Sequence, residues 1–505
     1  MSCRFSTLFT AHNVRDYLST EEGIREAIDW CRKTSVDRVY IESFRSDYTV
    51  PRDILVRARD RFTEEGFDVR GCVTTCGFGK RSTGWNIICC FTDKATVEQL
   101  GQVFAYTASI FDVIMIDDFL FTDCECPDCK AAKGDKSWSE FRCDLMVQLS
   151  RDTILKPARE VNPNVKIIIK YPQWYDMFHL RGYEVGRQTE DFDLIWVGTE
   201  TRDSDDPEWG GHEQYKAYYI MRWLGEIGGA KTGGGWFDPY GTSPPTYLEQ
   251  AYQTILADAD EAVLFCYGSL IRDNGPANIK ALRQEMAGLK RLAELVDGKA
   301  ICGIAAPKPI GSDPHNEVYI YDMIGMLGFP LVPTARLSKD APGAFLSVHA
   351  LKDPNIKEYI KFMIEHCRPL LITDGLAEKL KDWDEAELLQ NPLVTLLKVS
   401  GKPRELYKLP KETLQEARDK MLAPLGVQLE APTKVSLYLY EKNMEVIENF
   451  NNEPVVVTLD LRGREAPNER QIIHSLPKGN GSEIIRREKG KYTIKIGPRS
   501  LVVLR

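Results

Sequence analysis

Val113-Ile114-Met115-Ile116-Asp117-Asp118-Phe119 sets four apolar residues directly against two carboxylates. Ile195-Trp196-Val197-Gly198-Thr199-Glu200-Thr201-Arg202-Asp203 repeats the pattern further along. Working outward from these, short apolar and β-branched runs recur at 5–9, 38–43, 68–74, 113–117, 165–171, 194–198, 233–238 and 262–267. Amphipathic stretches separate them, at 20–34, 51–65, 95–109, 138–161 and 247–258. Eight strands alternating with helices predict a closed (β/α)8 barrel of the α/β class over residues 1–297, in preference to an open doubly wound sheet. No glycine-rich dinucleotide fingerprint follows an early strand, and no phosphate loop is present.

A second alternation follows at 298–408, with apolar runs at 300–306, 345–348, 370–373 and 393–399 and helical segments at 317–327 and 356–366. It predicts a small α/β domain. A polar helical connector at 409–432 then gives way to period-two runs at 434–440, 444–450, 454–461, 470–475, 482–486 and 492–496, broken by Gly, Asn and Pro. These predict a terminal antiparallel β-sandwich at 433–505.

The formal charge of −9 and the lack of a basic stripe argue against nucleic acid or an anionic membrane as partner. The first residues lack a charged start followed by a long apolar core, and no stretch is long and apolar enough to span a bilayer. Thirteen cysteines, an odd number, occur in a large chain, several in apolar settings such as Cys31, Cys72, Cys266 and Cys367. Together these favour a reduced cytoplasmic protein.

In such a barrel the chemistry lies at the carboxyl ends of the strands. Strand 4 offers Asp117 and Asp118, costly to bury unless paired. Strand 6 offers Glu200, Arg202 and Asp203, with Glu200 and Arg202 on one side if the extended backbone continues. Asp238 closes strand 7. Around these, His12, Asn13, Glu42, Arg45, Lys170, Tyr171, Trp174, Trp236 and Tyr267 supply the mixture of aromatic faces and polar groups suited to binding a sugar. Two carboxyl groups, one to protonate the leaving oxygen and one to attack or activate water, are what glycoside hydrolysis requires. Cys124-Glu125-Cys126-Pro127-Asp128-Cys129 is a CxCxxC turn able to direct three thiolates at one centre. A structural zinc would take a fourth thiol from Cys76, Cys89, Cys90 or Cys143.

Barrel, α/β domain and β domain in this order resemble the family 42 β-galactosidases and related glycosidases. That family carries a CxCxxC cluster after strand 4, joined by an earlier cysteine to bind zinc, and Cys124, Cys126 and Cys129 with Cys76 match it. The resemblance implies a glutamine-amidotransferase-like middle domain of the kind used for trimer formation, and hence a homo-oligomer. The catalytic motif departs: the family's Asn-Glu after strand 4 and Glu after strand 7 are here Asp117-Asp118 and Trp236-Phe237-Asp238. Its catalytic residues and galactose specificity therefore do not carry over. Enzymes on α-linked sugars, with an Asp after strand 4 and an acid after strand 6, offer a second analogy favouring Asp118 with Glu200 or Asp203.

The expectation is a glycosidase acting on a carbohydrate without a catalytic cofactor. The alternatives are a carbohydrate-binding or regulatory protein on a non-catalytic barrel, and a metal-dependent hydrolase or lyase, which the shortage of strand-end histidines disfavours.

Overall fold

In the computed structural model, which describes residues 3–464 and 469–505, each of the eight apolar runs forms a strand. They are β1 (Arg4–Phe9), β2 (Val36–Arg45), β3 (Asp68–Val73), β4 (Val113–Ile116), β5 (Lys166–Tyr171), β6 (Leu194–Gly198), β7 (Thr232–Phe237) and β8 (Glu261–Leu264). All pair in parallel with their neighbours in chain order, and β8 pairs back on β1 from Arg4 opposite Glu261 to Thr7 opposite Leu264. The sheet is therefore a closed barrel. A two-residue strand, Tyr48–Thr49, doubles back on the end of β2.

Strand side chains alternate between faces, and inside a barrel this stacks them in layers. One apolar layer takes a residue from every strand: Leu8, Tyr40, Cys72, Met115, Ile168, Trp196, Trp236 and Val263, all buried. Towards the amino-terminal end, Glu261 accepts from Ser6 Oγ at 2.5 Å and pairs with Arg38, whose Nε also donates to Asp68 at 2.7 Å. The opposite faces of the strands pack on the surrounding helices. Helix Glu21–Lys33, for example, is capped by Thr20 and buries Ile24, Ala27, Ile28 and Cys31 on one stripe.

The middle domain is a five-stranded parallel sheet in the order Leu331–Thr334, Ile304–Pro307, Ala344–Leu346, Leu370–Thr373, Val394–Leu397. Its second strand in chain order, Leu331–Thr334, escaped the sequence reading because Pro333 interrupts it at an edge. Helix Lys411–Leu422 forms the connector, and two antiparallel sheets of five and four strands then face each other across an apolar core that includes Leu437, Ile447, Leu459 and Ile494. Two boundaries shift. Gln428–Glu430, placed in the connector by sequence, pairs with Val455–Asp460 in the four-stranded sheet, and Ile301–Cys302, assigned to the middle domain, pairs with Val435–Tyr440. Ser500–Leu504, unassigned from sequence, lies between two strands of the five-stranded sheet and is buried throughout. A strand buried on both faces shows no alternation, so period two could not announce it.

Among the described residues no helix is long and apolar enough to cross a membrane. All thirteen cysteines are unbridged, and Cys31, Cys72 and Cys266 are buried as expected, whereas Cys367 is exposed.

Arg38→Met would leave Glu261 buried without its cation, which typically costs about 3–5 kcal/mol. A clearly lower thermal midpoint is expected, with the cavity at the opposite end of the barrel undisturbed. A midpoint equal to the parent's would mean that the ion cluster is energetically neutral.

Candidate functional site

Two residues beyond the apolar layer, the same alternation turns Glu42, Thr74, Asp117, Lys170, Asp238 and Phe265 towards the barrel axis at the carboxyl end. At β6 that position is Gly198, and the space is taken by Glu200: a Cβ on Gly198 would lie 2.8 Å from Glu200 Oε2 and 2.7 Å from the Gln173 backbone nitrogen. These groups floor a cavity of about 460 Å³ lined by Arg45, Asp117, Asp118, Lys170, Gln173, Glu200, Arg202 and Asp238. Its walls are aromatic, with Trp85, Phe119, Phe121, Trp174, Trp209, Trp236, Tyr240 and Phe265. A cleft of about 480 Å³ between helix Trp138–Leu149 and the middle domain is comparable in size. There, however, the charged groups pair among themselves at the surface, Asp144 with Lys136 and Arg187, and Arg187 with Glu184.

The charges of the barrel cavity are interlocked. Arg45 donates to Glu42 at 2.8 and 3.1 Å and to Asp117 at 2.6 Å. Lys170 Nζ lies 2.9 Å from Asp118 Oδ2, 3.4 Å from Glu200 Oε1 and 4.0 Å from Asp117 Oδ1, and 4.3 Å from the centre of the Trp236 ring. Arg202 grips Asp238 with two hydrogen bonds of 3.0 and 2.6 Å and lies over Trp209. Burial pushes the carboxyl of Asp118 up to about 7, with Asp117 and Glu200 adding to the rise and Lys170 opposing it. Burial likewise raises Glu200, reinforced by Asp238 against Lys170 and Arg202. Asp117 goes the other way: burial is outweighed by Arg45, Lys170 and the Asp118 N–H, which hold it below the usual carboxylate range. Asp117 is thus a fixed anion, while Asp118 and Glu200 share a site in which a proton is readily held.

Of the residues singled out in the sequence, Asp117, Asp118, Glu200, Asp238, Arg45, Lys170, Arg202, Trp174 and Trp236 meet in this cavity. Glu42 sits beneath it and acts through Arg45. The others lie elsewhere. Asp203 turns into the acidic loop, where its carboxylate accepts from the Asp205 backbone at 3.0 Å. Tyr171 follows Lys170 by one position and so points out of the barrel, its hydroxyl on Thr189. Tyr267 packs among Phe9, Tyr17 and Trp30. His12 stacks on Tyr48, and Asn13 accepts from the Gly268 backbone. Arg202 reaches the cavity by a different route from the extended backbone expected: its φ is +62°, unusual outside glycine. Its N–H donates to Gln250 Oε1, while Gln250 Nε2 donates to Asp238 O. Trp85, Phe119, Phe121, Gln173, Trp209, Tyr240 and Phe265 were missed. All lie beyond the strands; Phe265, one residue past β8, still follows its alternation, but for the rest no periodicity assigns a direction, although Phe119 stands beside Asp118 and Gln173 beside Trp174.

The thiol cluster forms beside this cavity. Cys90, Cys124, Cys126 and Cys129 are buried, with sulfurs all within 4.8 Å of one another. Cys90 lies 3.7 Å from Cys126 and 3.6 Å from Cys129, and Cys126 lies 3.7 Å from Cys129. Four sulfurs about 2.3 Å from a tetrahedral zinc would be separated by about 3.8 Å, so this donor set fits the ion. The separations are far too long for disulfides. The fourth thiol is Cys90 and not Cys76, whose sulfur lies in the field of Arg45, Asp117 and Glu42. Cys90 is brought in because the loop after β3 folds back on itself, pairing Arg81 with Cys89.

Residues 1–288 match the family model described as the catalytic domain of a probable glycosyl hydrolase, and residues 426–505 match its C-terminal domain. An uncharacterized protein of Saccharolobus solfataricus is 26% identical in an alignment of 348 positions that covers 62% of this chain; the chain spans 57% of the length of that curated relative. Among solved structures, an α-L-fucosidase isoenzyme of Paenibacillus thiaminolyticus superposes with a TM-score of 0.64 at 9% identity, covering 100% of this chain and 99% of that one. A GH42 β-galactosidase of G. stearothermophilus gives 0.62 at 10% identity, covering 100% and 98%. At these identities the two structures share the fold with this chain.

Proposed function

Since the chain belongs to the probable glycosyl hydrolase family, we propose that it cleaves a glycosidic bond of a small oligosaccharide or glycoconjugate, with Asp118 and Glu200 as the reacting carboxyl groups. One observation carries this reading. Two carboxyls with raised pKa share a single ammonium at the floor of an aromatic-walled cavity, at the strand ends where barrel enzymes work. Asp118 Oδ2 takes the shorter bond from Lys170, which concentrates negative charge there and suits the nucleophile. Glu200 Oε2 is buried and has no hydrogen-bond partner, so it has room for the proton of the acid. Arg45 keeps Asp117 ionised beside them, and this fixed charge favours the positive sugar of the transition state. Arg202 and Asp238 neutralise each other and offer their remaining polar edges to hydroxyl groups.

The spacing supports retention of configuration. Lys170 Nζ is 2.9 Å from one of these oxygens and 3.4 Å from the other, so their separation falls short of the ~6.5 Å that an inverting pair needs to admit water between acid and base. In a retaining cycle, Asp118 attacks the anomeric carbon as Glu200 protonates the departing oxygen. Glu200 then takes a proton from the water that releases the sugar. We further propose that Cys90, Cys124, Cys126 and Cys129 hold one structural zinc, which would stiffen the loops after β3 and β4 and take no part in these steps.

A panel of aryl glycosides tests the activity; wild-type protein that turns over no member would refute it. Asp118→Asn should lower kcat by about three orders of magnitude or more on every substrate. Glu200→Gln should retain much of its rate only where the leaving group needs no proton, and Asp203→Asn should stay near the parent.

The pH profile of kcat/KM should fall on the alkaline side above the ordinary carboxylate range, because burial raises Glu200, the acid must be protonated, and rising pH removes the proton held by the Asp118–Glu200 pair. Lys170→Met removes the cation that opposes protonation of both carboxyls. The alkaline fall should therefore move to higher pH while kcat drops; an unmoved profile would refute the pairing.

Metal analysis should find one zinc per chain, lost in Cys90→Ser and kept in Cys76→Ser. The reverse outcome would restore Cys76 as the ligand.

A further inference from the structure

Only two tryptophans are exposed among the described residues, Trp85 at 47% and Trp209 at 39%, and both line the cavity that holds Asp118 and Glu200. They come from opposite sides of the barrel, Trp85 from the loop after β3 and Trp209 from the loop after β6. Trp209 has protein partners on its face: Tyr240 stacks on it at 5.3 Å, with the Arg202 guanidinium 4.8 Å from its ring centre. The rings nearest Trp85 are more distant, Phe119 tilted at 5.9 Å and Phe121 at 6.4 Å. Nearly half of a large apolar side chain is thus left to water beside a carbohydrate-sized cavity. Exposed apolar area at such a place marks a binding surface.

The loop bearing Trp85 is held with care. Its tip is fixed by Asp123, whose carboxylate accepts from the Trp85 N–H at 2.9 Å, from Ser82 Oγ at 2.5 Å and from Arg181 at 2.6 Å. Gly84 lies so close that a Cβ there would sit 2.6 Å from the same carboxylate. Its base is Cys90, and Thr83 Oγ1 accepts from the Glu125 backbone at 2.8 Å and lies 3.8 Å from Cys124 Sγ. Asp123, Cys124 and Cys126 are consecutive or nearly so on the loop that begins with Asp117 and Asp118. The thiol cluster therefore joins the loop presenting the tryptophan to the loop presenting the carboxylates.

On the basis of the glycosidase reading, we infer that Trp85 is the stacking platform of a second sugar subsite, outside the one holding the scissile bond's glycone. We infer also that the four-cysteine centre sets the position of this platform. The ligand class is a sugar ring with an apolar C–H face, joined through the bond to be cut. The carboxylates make contact with the glycone; Trp85 is a specificity residue acting on the group beyond it.

The test uses the full-length protein and the glycone chosen by the aryl-glycoside panel, presented as a glycosyl fluoride, whose leaving group has no ring, and as the disaccharide and trisaccharide. Trp85→Ala should lower kcat/KM on the disaccharide and trisaccharide by about 10- to 100-fold, and change the fluoride by about threefold or less. Trp85→Phe should restore most of the loss. Cys126→Ser, or metal removal by a chelator where that variant fails to fold, should lower the oligosaccharide value alone, with no further fall in the Trp85→Ala background. As a readout independent of turnover, adding the trisaccharide to the Asp118→Asn protein should change its tryptophan emission, and Trp85→Ala should reduce that change to the part contributed by Trp174, Trp209 and Trp236. Equal losses on fluoride and oligosaccharide, or additive effects of Trp85→Ala and Cys126→Ser, would overturn the inference while leaving the glycosidase reading intact. Wild-type protein inert towards every panel member would overturn both.

Discussion

Lys170 Nζ has three carboxylates within 4.0 Å and almost no access to water. A lone ammonium so placed would lose its proton, and the carboxylates without it would force one another neutral. The group therefore persists only as a unit. Its charges do not balance: Glu42, Asp117, Asp118, Glu200 and Asp238 face Arg45, Lys170 and Arg202. The surplus is negative, and it falls on Asp118 and Glu200, the two carboxyls without an arginine partner. Burial, with that imbalance adding to it, raises their pKa values, and in the proposed reaction the surplus would favour positive charge developing on a sugar.

The barrel makes this unit affordable. Its apolar layer, with Trp196 and Trp236 filling much of the width, seals the charges from the amino-terminal end. The Trp236 ring also lies under the ammonium, an apolar surface that nonetheless attracts a cation. The next layer is polar because strand side chains return to the same face every second residue, and Gly198 breaks the series where Glu200 needs space. A second ion cluster around Glu261 occupies the far end. Apolar middle and charged ends thus follow from the order of residues along each strand.

For that reason the floor of the site was legible in the sequence and its walls, Trp174 and Trp236 apart, were not. Asp117, Asp118, Lys170, Trp236 and Asp238 close apolar runs, and their inward direction follows from the alternation. The same rule, applied one residue further, rejects Tyr171. Asp203 follows Arg202 in the chain, and the left-handed backbone at Arg202 ends the strand geometry before it, so Asp203 turns into the acidic loop. Trp85 and Trp209 stand on loops whose course is set by contacts distant in sequence, such as Asp123 with the Trp85 N–H. The CxCxxC turn announces three thiols by spacing; the fourth depends on how the loop after β3 folds back, so spacing leaves Cys76, Cys89, Cys90 and Cys143 open, and only the family resemblance points to Cys76.

The loop after β5 ties the barrel to the middle domain. Gln173 and Trp174 line the cavity, and the next two residues bind the middle domain. Tyr175 donates to Asp322 at 2.8 Å, and Asp176 accepts from the Tyr319 N–H at 2.7 Å while lying 3.3 Å from His349 and 3.6 Å from Lys308. These partners belong to three separate segments of the middle domain, and Asp176, Asp322, Lys308 and His349 are buried. His349 and Lys308 hold Asp176 at about 2 in spite of its burial, so it stays an anion throughout the neutral range. The loop is thus pinned within two residues of a cavity wall. The middle domain contributes no side chain to the cavity's lining, yet it fixes the wall that faces Lys170 and Glu200. Barrel and middle domain are thus joined at the cavity's edge, because the loop that carries Gln173 and Trp174 is anchored across their interface.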